Sequence, residues 1–521
     1  MRATDGFDVV IIGAGIAGTS AALEAARVGA RVALASLGAT FSGSSFYGGT
    51  WGLGLVGPAD EEDADNFVET ILEVGRDMAD PALVRTLVEG VDPAVAWLEE
   101  QGVELRRPED ASQRAYIPCF DHRPRGWHGL GRESLRCVWH RELARLGVTL
   151  LPHTMLVDVV EQQRQVRGVM LARLSTGEVL EVPCGAVVLA TGGLAGLYKR
   201  CLTAADTCGS AHAVALAHGC SLVNSEFLQI MPGLVAPVAG VVINEKAFRF
   251  STLDLSEELL DQRSGYGPFT TRLAARAVDE AIMAAGAAGL PLSYRLPHEP
   301  PELVASYFAW LRESFGISAT DEARVALYAH ASNGGILIDR DGRCVDGPVD
   351  LFACGECTGG MHGADRIGGL ASAAALVFGR RAGRQAAHTA GRGHEGMRAI
   401  GRCMQKSRQV AELTARLRAT MSTHALIGRT TEGLQTAQKD LREIAQQLRE
   451  ITVPTPVTDE SPIDIDALRL RHQLTSASAM LKAMELRQES RGSHHRQDAP
   501  TEDPRKAKPL SLKSPDIPIT W

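Results

Sequence analysis

The chain has 521 residues, too many for one core, so about two to four domains are expected. A hydrophobic share of 45%, a charged share of 22% and a net charge of −8 describe an ordinary globular protein and argue against nucleic acid as a partner. No window offers the roughly 18 unbroken apolar residues of a membrane span. The first predicted strand begins at Asp8 and leaves no room for a signal peptide. The ten cysteines lie scattered in apolar surroundings, which suits reduced thiols, so a soluble cytoplasmic protein is expected.

The opening DVVIIGAGIAGTSAALEAARVGARVALAS reads as a buried strand, a glycine turn, an amphipathic helix and a second strand. Gly13, Gly15 and Gly18 form G-x-G-x-x-G in that setting. The first makes the turn, the second admits a pyrophosphate, and the third lets helix pack on strand. The helix then offers its positive end to phosphates. The second strand stops on Ser36, where many dinucleotide folds place an acid; a serine still hydrogen-bonds a ribose hydroxyl. Residues 176–193 read as a hairpin arm and a buried strand closing on Thr191-Gly192-Gly193, and 350–360 as another apolar strand stopping at Gly355-Glu356. Two such strands far apart predict one nucleotide-binding sheet interrupted by an insertion, from about Glu226 to Gly334. From about Met397 long polar helices are expected. The last two dozen residues read as a loosely held tail.

Ten ordered stretches carry a resemblance: DVVIIGAGIAG, VALAS, SSFYGG, ATGGLAGLY, the helix ending AHG, EFLQ, HASNGGILID, LFACGE, HGADRIGG and VFGRRAG. To these is added ELRQESRGSHHRQDAP at 485–500. Over nearly its whole length the chain resembles the flavoproteins of the succinate dehydrogenase, fumarate reductase and L-aspartate oxidase superfamily. The resemblance implies an α/β fold, with a Rossmann-like FAD-binding domain, an inserted α+β capping domain and a C-terminal helical domain. The expected division is 1–225 and 335–392 for FAD, 226–334 for the cap, 393–500 for the helices and 501–521 for the tail.

The cofactor implied is FAD. Its contacts carry over onto Gly13, Gly15, Ala17 and Gly18; Ser36; Ser44, Gly48 and Gly49; and Ala190, Thr191 and Gly192. Further along they fall on Gly355, Glu356, Arg366, Ala371 and Ser372. Respiratory members hold FAD covalently through a histidine in the SSFYGG region. Here that position is Ser44 and no histidine lies between 37 and 50, so non-covalent FAD is expected. Leu370-Ala371-Ser372 and Gly209-Ser210-Ala211 each lack a polar contact of the relatives, which predicts a looser hold.

A flavin exchanging hydride with a saturated bond needs its substrate laid flat against the ring, and carboxylates gripped by arginine are the natural handles. Alone, Arg366 reads as a loop brace and His330 as a histidine at a strand turn. The resemblance gives both the task of holding a substrate carboxylate. It places Arg272 where relatives deliver a proton, although an arginine rarely deprotonates, its usual aspartate neighbour is Leu273 here, and a solvated helical arginine is the other reading. The relatives' histidine after the EFLQ-type motif is Met231, and the arginine-rich loop that binds a second carboxylate is deleted before VVINEKAFRF. That replacement by methionine, valine and proline argues against plain succinate, fumarate or aspartate, with Arg272 or His122 left to compensate.

Cys354 and Cys357 form the one C-x-x-C. Either a dithiol relays electrons beside the flavin or two small residues are simply buried there. No metal site is expected. The leading reading is an FAD-dependent dehydrogenase or reductase acting on CH–CH bonds of a small carboxylate with an apolar remainder. An aspartate-oxidase-like amine oxidase, acting on CH–NH2, is the alternative. A third reading is an electron-transfer subunit with a degenerate site, and the resemblance leaves room for an iron–sulfur or other electron-transfer partner.

Overall fold

The computed structural model describes residues 6–107, 123, 125–204, 206–253, 255–258, 260, 273–392, 394–404, 408–451 and 462–519. Its centre is a five-stranded parallel sheet in the order Leu351–Ala353, Ala186–Leu189, Val9–Ile12, Val32–Ala35, Thr149–Leu151. These strands are runs of Val, Ile, Leu, Phe and Ala buried along their length, the pattern of a sheet covered on both faces. Strands from the two ends of the region meet in it, because only neighbours with matching apolar faces bury both.

Two helices leave the carboxyl ends of these strands, Ile16–Arg27 and Leu370–Thr389. They cross almost backbone to backbone: a Cβ on Gly383 would lie 2.1 Å from Ala21 O, and one on Gly379 2.5 Å from Ala17 O. The VFGRRAG stretch is therefore a close-packing device, and both helix N-termini open at one point above the sheet. That is where open α/β sheets bind ligands.

A second sheet faces this point, in the order Val241–Val242, Leu228–Ala236, Ala323–Ser332, Leu290–Tyr294, Ser251–Thr252. Where the sequence was expected to lack an arginine-rich loop, Leu228–Ala236 turns directly back into Val241–Val242, the amide of Gly240 donating to Leu234 O at 3.0 Å. The helices Arg408–His424, Thr431–Ile451 and Ile465–Leu486 pack through Leu417, Leu441 and Leu474, all fully buried.

Two local expectations are corrected. Residues Arg398–Met404, read as the start of the polar helices, form a strand pairing with Glu178–Pro183. The strand lies between Glu178–Pro183 and the short strand Ile463–Asp464, and periodicity over so short a stretch does not separate it from a helix. The expected loose tail is pinned: Ser511–Leu512 adds a strand to Leu222–Val223, and Leu512, Ile517 and Ile519 are buried. Three spaced apolar residues among prolines and lysines are enough once a sheet edge lies nearby.

Candidate active site

One large cleft runs from the glycine turn to the second sheet. At its nucleotide end the lining includes Gly13, Gly15, Ala17, Ser36 and Ser44, with Ala190, Thr191 and Gly192 beside them. Gly13 has φ +115°, and a Cβ there would lie 2.2 Å from Ala190 O, so no other residue fits. A Cβ on Gly15 has only Ser45 Oγ nearby, at 3.2 Å; its space is the cleft itself. Ile16 N donates to Ser45 Oγ at 3.2 Å, and Gly15 offers no capping side chain. Ser36 Oγ donates within its turn, to Gly38 O at 3.1 Å and Ala39 O at 3.3 Å, which leaves its lone pairs for a ribose hydroxyl.

Gly355, Glu356, Ala371 and Ser372 line the middle of the cleft, where Leu370–Thr389 begins behind Gly369 at φ +86° with no side-chain cap. Two open helix N-termini and a backbone stripped of Cβ atoms fit a dinucleotide pyrophosphate at one and an electron-rich ring edge at the other. Three cofactor positions fall off the lining. Gly18 packs against the turn, its Cβ position 1.8 Å from Gly13 O; Gly48 is exposed, and Gly49 meets Gly240 O at 2.0 Å. Gly18 thus serves helix-on-strand packing, and Gly49 the approach of the second sheet.

At the far end Arg366 and His330 both line the cleft. Arg366 is 6% exposed. Its Nη2 donates to Gln229 Oε1 at 2.6 Å and its Nη1 to Ile367 O at 3.2 Å, while Nε has no hydrogen-bond partner among the described residues. Gln229 Nε2 in turn donates to Asp365 Oδ1 at 3.1 Å and Arg366 O at 3.0 Å, so one amide fixes both guanidinium and backbone. Burial lowers the Arg366 pKa and the carboxylates of Glu356 and Asp365 work against that. The group stays cationic, since an arginine starts above about 12.

Burial, then the nearby Arg366 charge, pushes His330 and His362 each down to about 3. Both are neutral near pH 7, and neither Nδ1 has a partner among the described residues. His330 lines the cleft, whereas His362 is buried and does not line it. Burial likewise raises the Glu356 pKa, while its Oε1 accepts from Ser332 N at 3.0 Å and opposes the rise.

The C-terminal motif explains why this loop is rigid. Ser493 donates twice to Ala364 O, from N at 2.9 Å and from Oγ at 3.0 Å, and a Cβ on Gly492 would meet that oxygen at 2.4 Å. The clamp is anchored by buried charges: Arg487 on Glu226 at 2.5 Å and Glu489 at 2.9 Å, Arg491 on Glu489 at 2.9 Å. Breaking such a buried set costs about 3–5 kcal/mol. Residues 492–493 and Gln229 therefore act on Arg366 through the backbone and through one amide. The motifs RGSH and EFLQ were visible in the sequence, but not what they touch.

Met231, Val242, Leu202 and Trp51 line the same end. Leu202 and Trp51 carried no signal in the sequence. Asp206 also reaches the cleft with an Oδ1 lacking a partner among the described residues. The C-x-x-C thiols are fully buried; Cys357 Sγ donates to Leu189 O at 3.3 Å and Cys354 O at 3.2 Å, and burial pushes it up to about 12. Such thiols are inert. Arg272 and His122 lie outside the described residues. Among those described, no group of three or more His, Cys, Asp or Glu gathers as a metal site, and no helix is long and apolar enough to cross a membrane.

A glycine-lined cradle on a parallel sheet, with a buried cation at its far end, fits a flavin-dependent oxidoreductase. The family model for an FAD binding domain matches residues 8–257 and 271–371, and that for a fumarate reductase flavoprotein C-term matches 414–512. The chain belongs to the fumarate reductase, succinate dehydrogenase and L-aspartate oxidase family of FAD-dependent oxidoreductases. It is 29% identical to one of the subunits of the fumarate reductase (CoM/CoB) of Methanothermobacter marburgensis, over 95% of each chain. It is 27% identical to the L-aspartate oxidase of Mycobacterium bovis, over 98% of this chain and 96% of that one. Among solved structures, the Mycobacterium smegmatis Sdh1 complex in the apo form superposes with a TM-score of 0.78 at 25% identity, over 98% of this chain and 93% of that one.

Proposed function

We infer that the protein exchanges hydride between non-covalent FAD and a CH–CH bond of a small carboxylate-bearing substrate. Bound FAD supplies a two-electron hydride carrier. Gly15, the first turn of Ile16–Arg27 and Ser36 would hold its nucleotide, and the open N-terminus at Gly369 would stabilise negative charge on its ring. Ser44, engaged with Thr203 Oγ1 at 2.5 Å, is not the imidazole a covalent link uses. Arg366 binds and orients the carboxylate, and neutral His330 donates one N–H to it. Arg272 keeps the proton-delivery role that the resemblance gives it. Electrons reach or leave the flavin through an iron–sulfur or other electron-transfer partner.

The observation that carries this reading is Arg366, buried at the cleft wall with its Nε unpartnered among the described residues. An amino-acid oxidase is the second reading, favoured by the 27% identity to L-aspartate oxidase over 98% of the chain. The test is anaerobic mixing with mono- and dicarboxylates and with amino acids while flavin absorbance is followed. Bleaching by saturated carboxylates that Arg366→Ala abolishes, with FAD retained, is the expected result. Bleaching by amino acids alone selects the oxidase. Bleaching unchanged in Arg366→Ala removes the anchor.

A further inference from the structure

The wall beside the carboxylate anchor is hydrocarbon. Met231 stands two positions beyond Gln229, the residue gripping Arg366, and pairs with Tyr328 across the sheet. Leu202 is tied next to His330, its amide donating to Ala329 O at 2.9 Å. Val242 pairs with Gly233, and its amide donates to Gly49 O at 2.7 Å, which draws in the loop bearing Trp51. All four side chains line the cleft and share one apolar cluster with Tyr328 and Trp310.

This wall is braced. Trp51 meets Tyr307 edge to face at 5.8 Å. Tyr47 Oη donates to Gly240 O at 2.8 Å, Gly240 N donates to Tyr328 Oη at 3.1 Å, and Tyr328 Oη donates to Leu234 O at 2.6 Å. These bonds hold the short turn after Leu228–Ala236 against the sheet, so Met231 and Val242 are presented on a fixed surface. Arg106, which also lines the cleft, is held at its exposed rim by Glu302 at 2.5 Å. A second carboxylate laid on Leu202, Met231 and Val242 would lose hydration without gaining a donor from these three side chains, whereas a hydrocarbon group gains by leaving water.

We propose that Trp51, Leu202, Met231 and Val242 form the specificity subsite, and that the substrate is a monocarboxylate ending in an aryl or branched-alkyl group rather than a dicarboxylate. The inference rests on the reading of Arg366 as the carboxylate anchor. In the FAD-loaded protein, dissociation constants for 3-phenylpropanoate, 4-methylpentanoate and succinate are measured by calorimetry and by flavin difference spectra. Both monocarboxylates are expected to bind roughly tenfold or more tightly than succinate. Met231→Arg is expected to invert that order. Leu202→Ala, the milder change, weakens 3-phenylpropanoate severalfold and leaves succinate unchanged.

Succinate binding as tightly as the monocarboxylates, or an order that neither variant moves, overturns the subsite. If that succinate binding is lost in Arg366→Ala, the anchor stands and only the subsite falls. Wild-type protein that binds none of the acids, or binds them independently of Arg366, removes the anchor and the subsite together.

Discussion

At the nucleotide end of the cleft a Cβ on Gly13 would lie 2.2 Å from a carbonyl, and one on Gly15 would fill the cleft; at the substrate end a 6%-exposed guanidinium is held by Gln229 and a loop clamped from residue 493. The first end is made of backbone and depends on side chains being absent. The second is made of side chains and depends on residues from four distant stretches meeting. With Arg366 as the proposed carboxylate anchor, binding FAD and choosing a substrate are expected to be separable, and substitutions should divide them cleanly.

The largest expected effect is at the backbone end. Gly15→Val has an ordinary φ and one movable neighbour, so the chain folds while the new side chain fills the pyrophosphate position. The FAD dissociation constant should rise roughly a hundredfold, about 3 kcal/mol of overpacking, read by flavin fluorescence against an unchanged far-UV spectrum. A flavin-replete Gly15→Val protein would break the comparison.

Gln229→Leu probes the other end. It removes the acceptor for Arg366 Nη2 and the donor to Asp365, so KM should rise roughly tenfold to a hundredfold with FAD content unchanged, as expected for a lost charged hydrogen bond. A fall in FAD content with KM unmoved would join the two ends rather than separate them.

Acid titration probes the same end through stability rather than turnover. His330 and His362 titrate near 3 in the folded chain against an ordinary 6.5, so the unfolded chain binds more protons between those values. Stability is complete above about 6.5 and is lost as pH falls toward 3, by up to about 1.4 kcal/mol per pH unit for each group. Urea midpoints measured from neutral to acid pH should fall less steeply in His362→Asn than in wild type. Equal slopes would mean that His362 is not held neutral.

The smallest effect is at the C-x-x-C. Cys354→Ala and Cys357→Ala should leave flavin reduction within about twofold, since both thiols pack as small apolar groups. A reduction rate that collapses in either variant would restore the relay.

The backbone end was legible because its constraints are local. A strand, a turn at positive φ and a helix N-terminus occupy one continuous run, and only glycine satisfies them. The strands before Gly192 and Gly355 were legible as apolar runs ending in glycine. Arg366 and His330 read alone as a loop brace and a strand-turn histidine, and only the family resemblance pointed them at the cleft that they line. The strand at 398–404 and the docked tail were not legible, because Glu178–Pro183 and Leu222–Val223, against which they pair, lie more than two hundred residues away.

By itself, the amino-acid order determined the glycine turn, the apolar strands and the charged loop, since each depends on the conformational freedom or hydration of neighbouring residues. Only the tertiary structure decided that Gln229 and Ser493 brace Arg366 and that Trp51, Leu202, Met231 and Val242 share one wall with it. Those contacts exist only after chain closure brings separate faces out of water together, and no short window of sequence records which faces will meet.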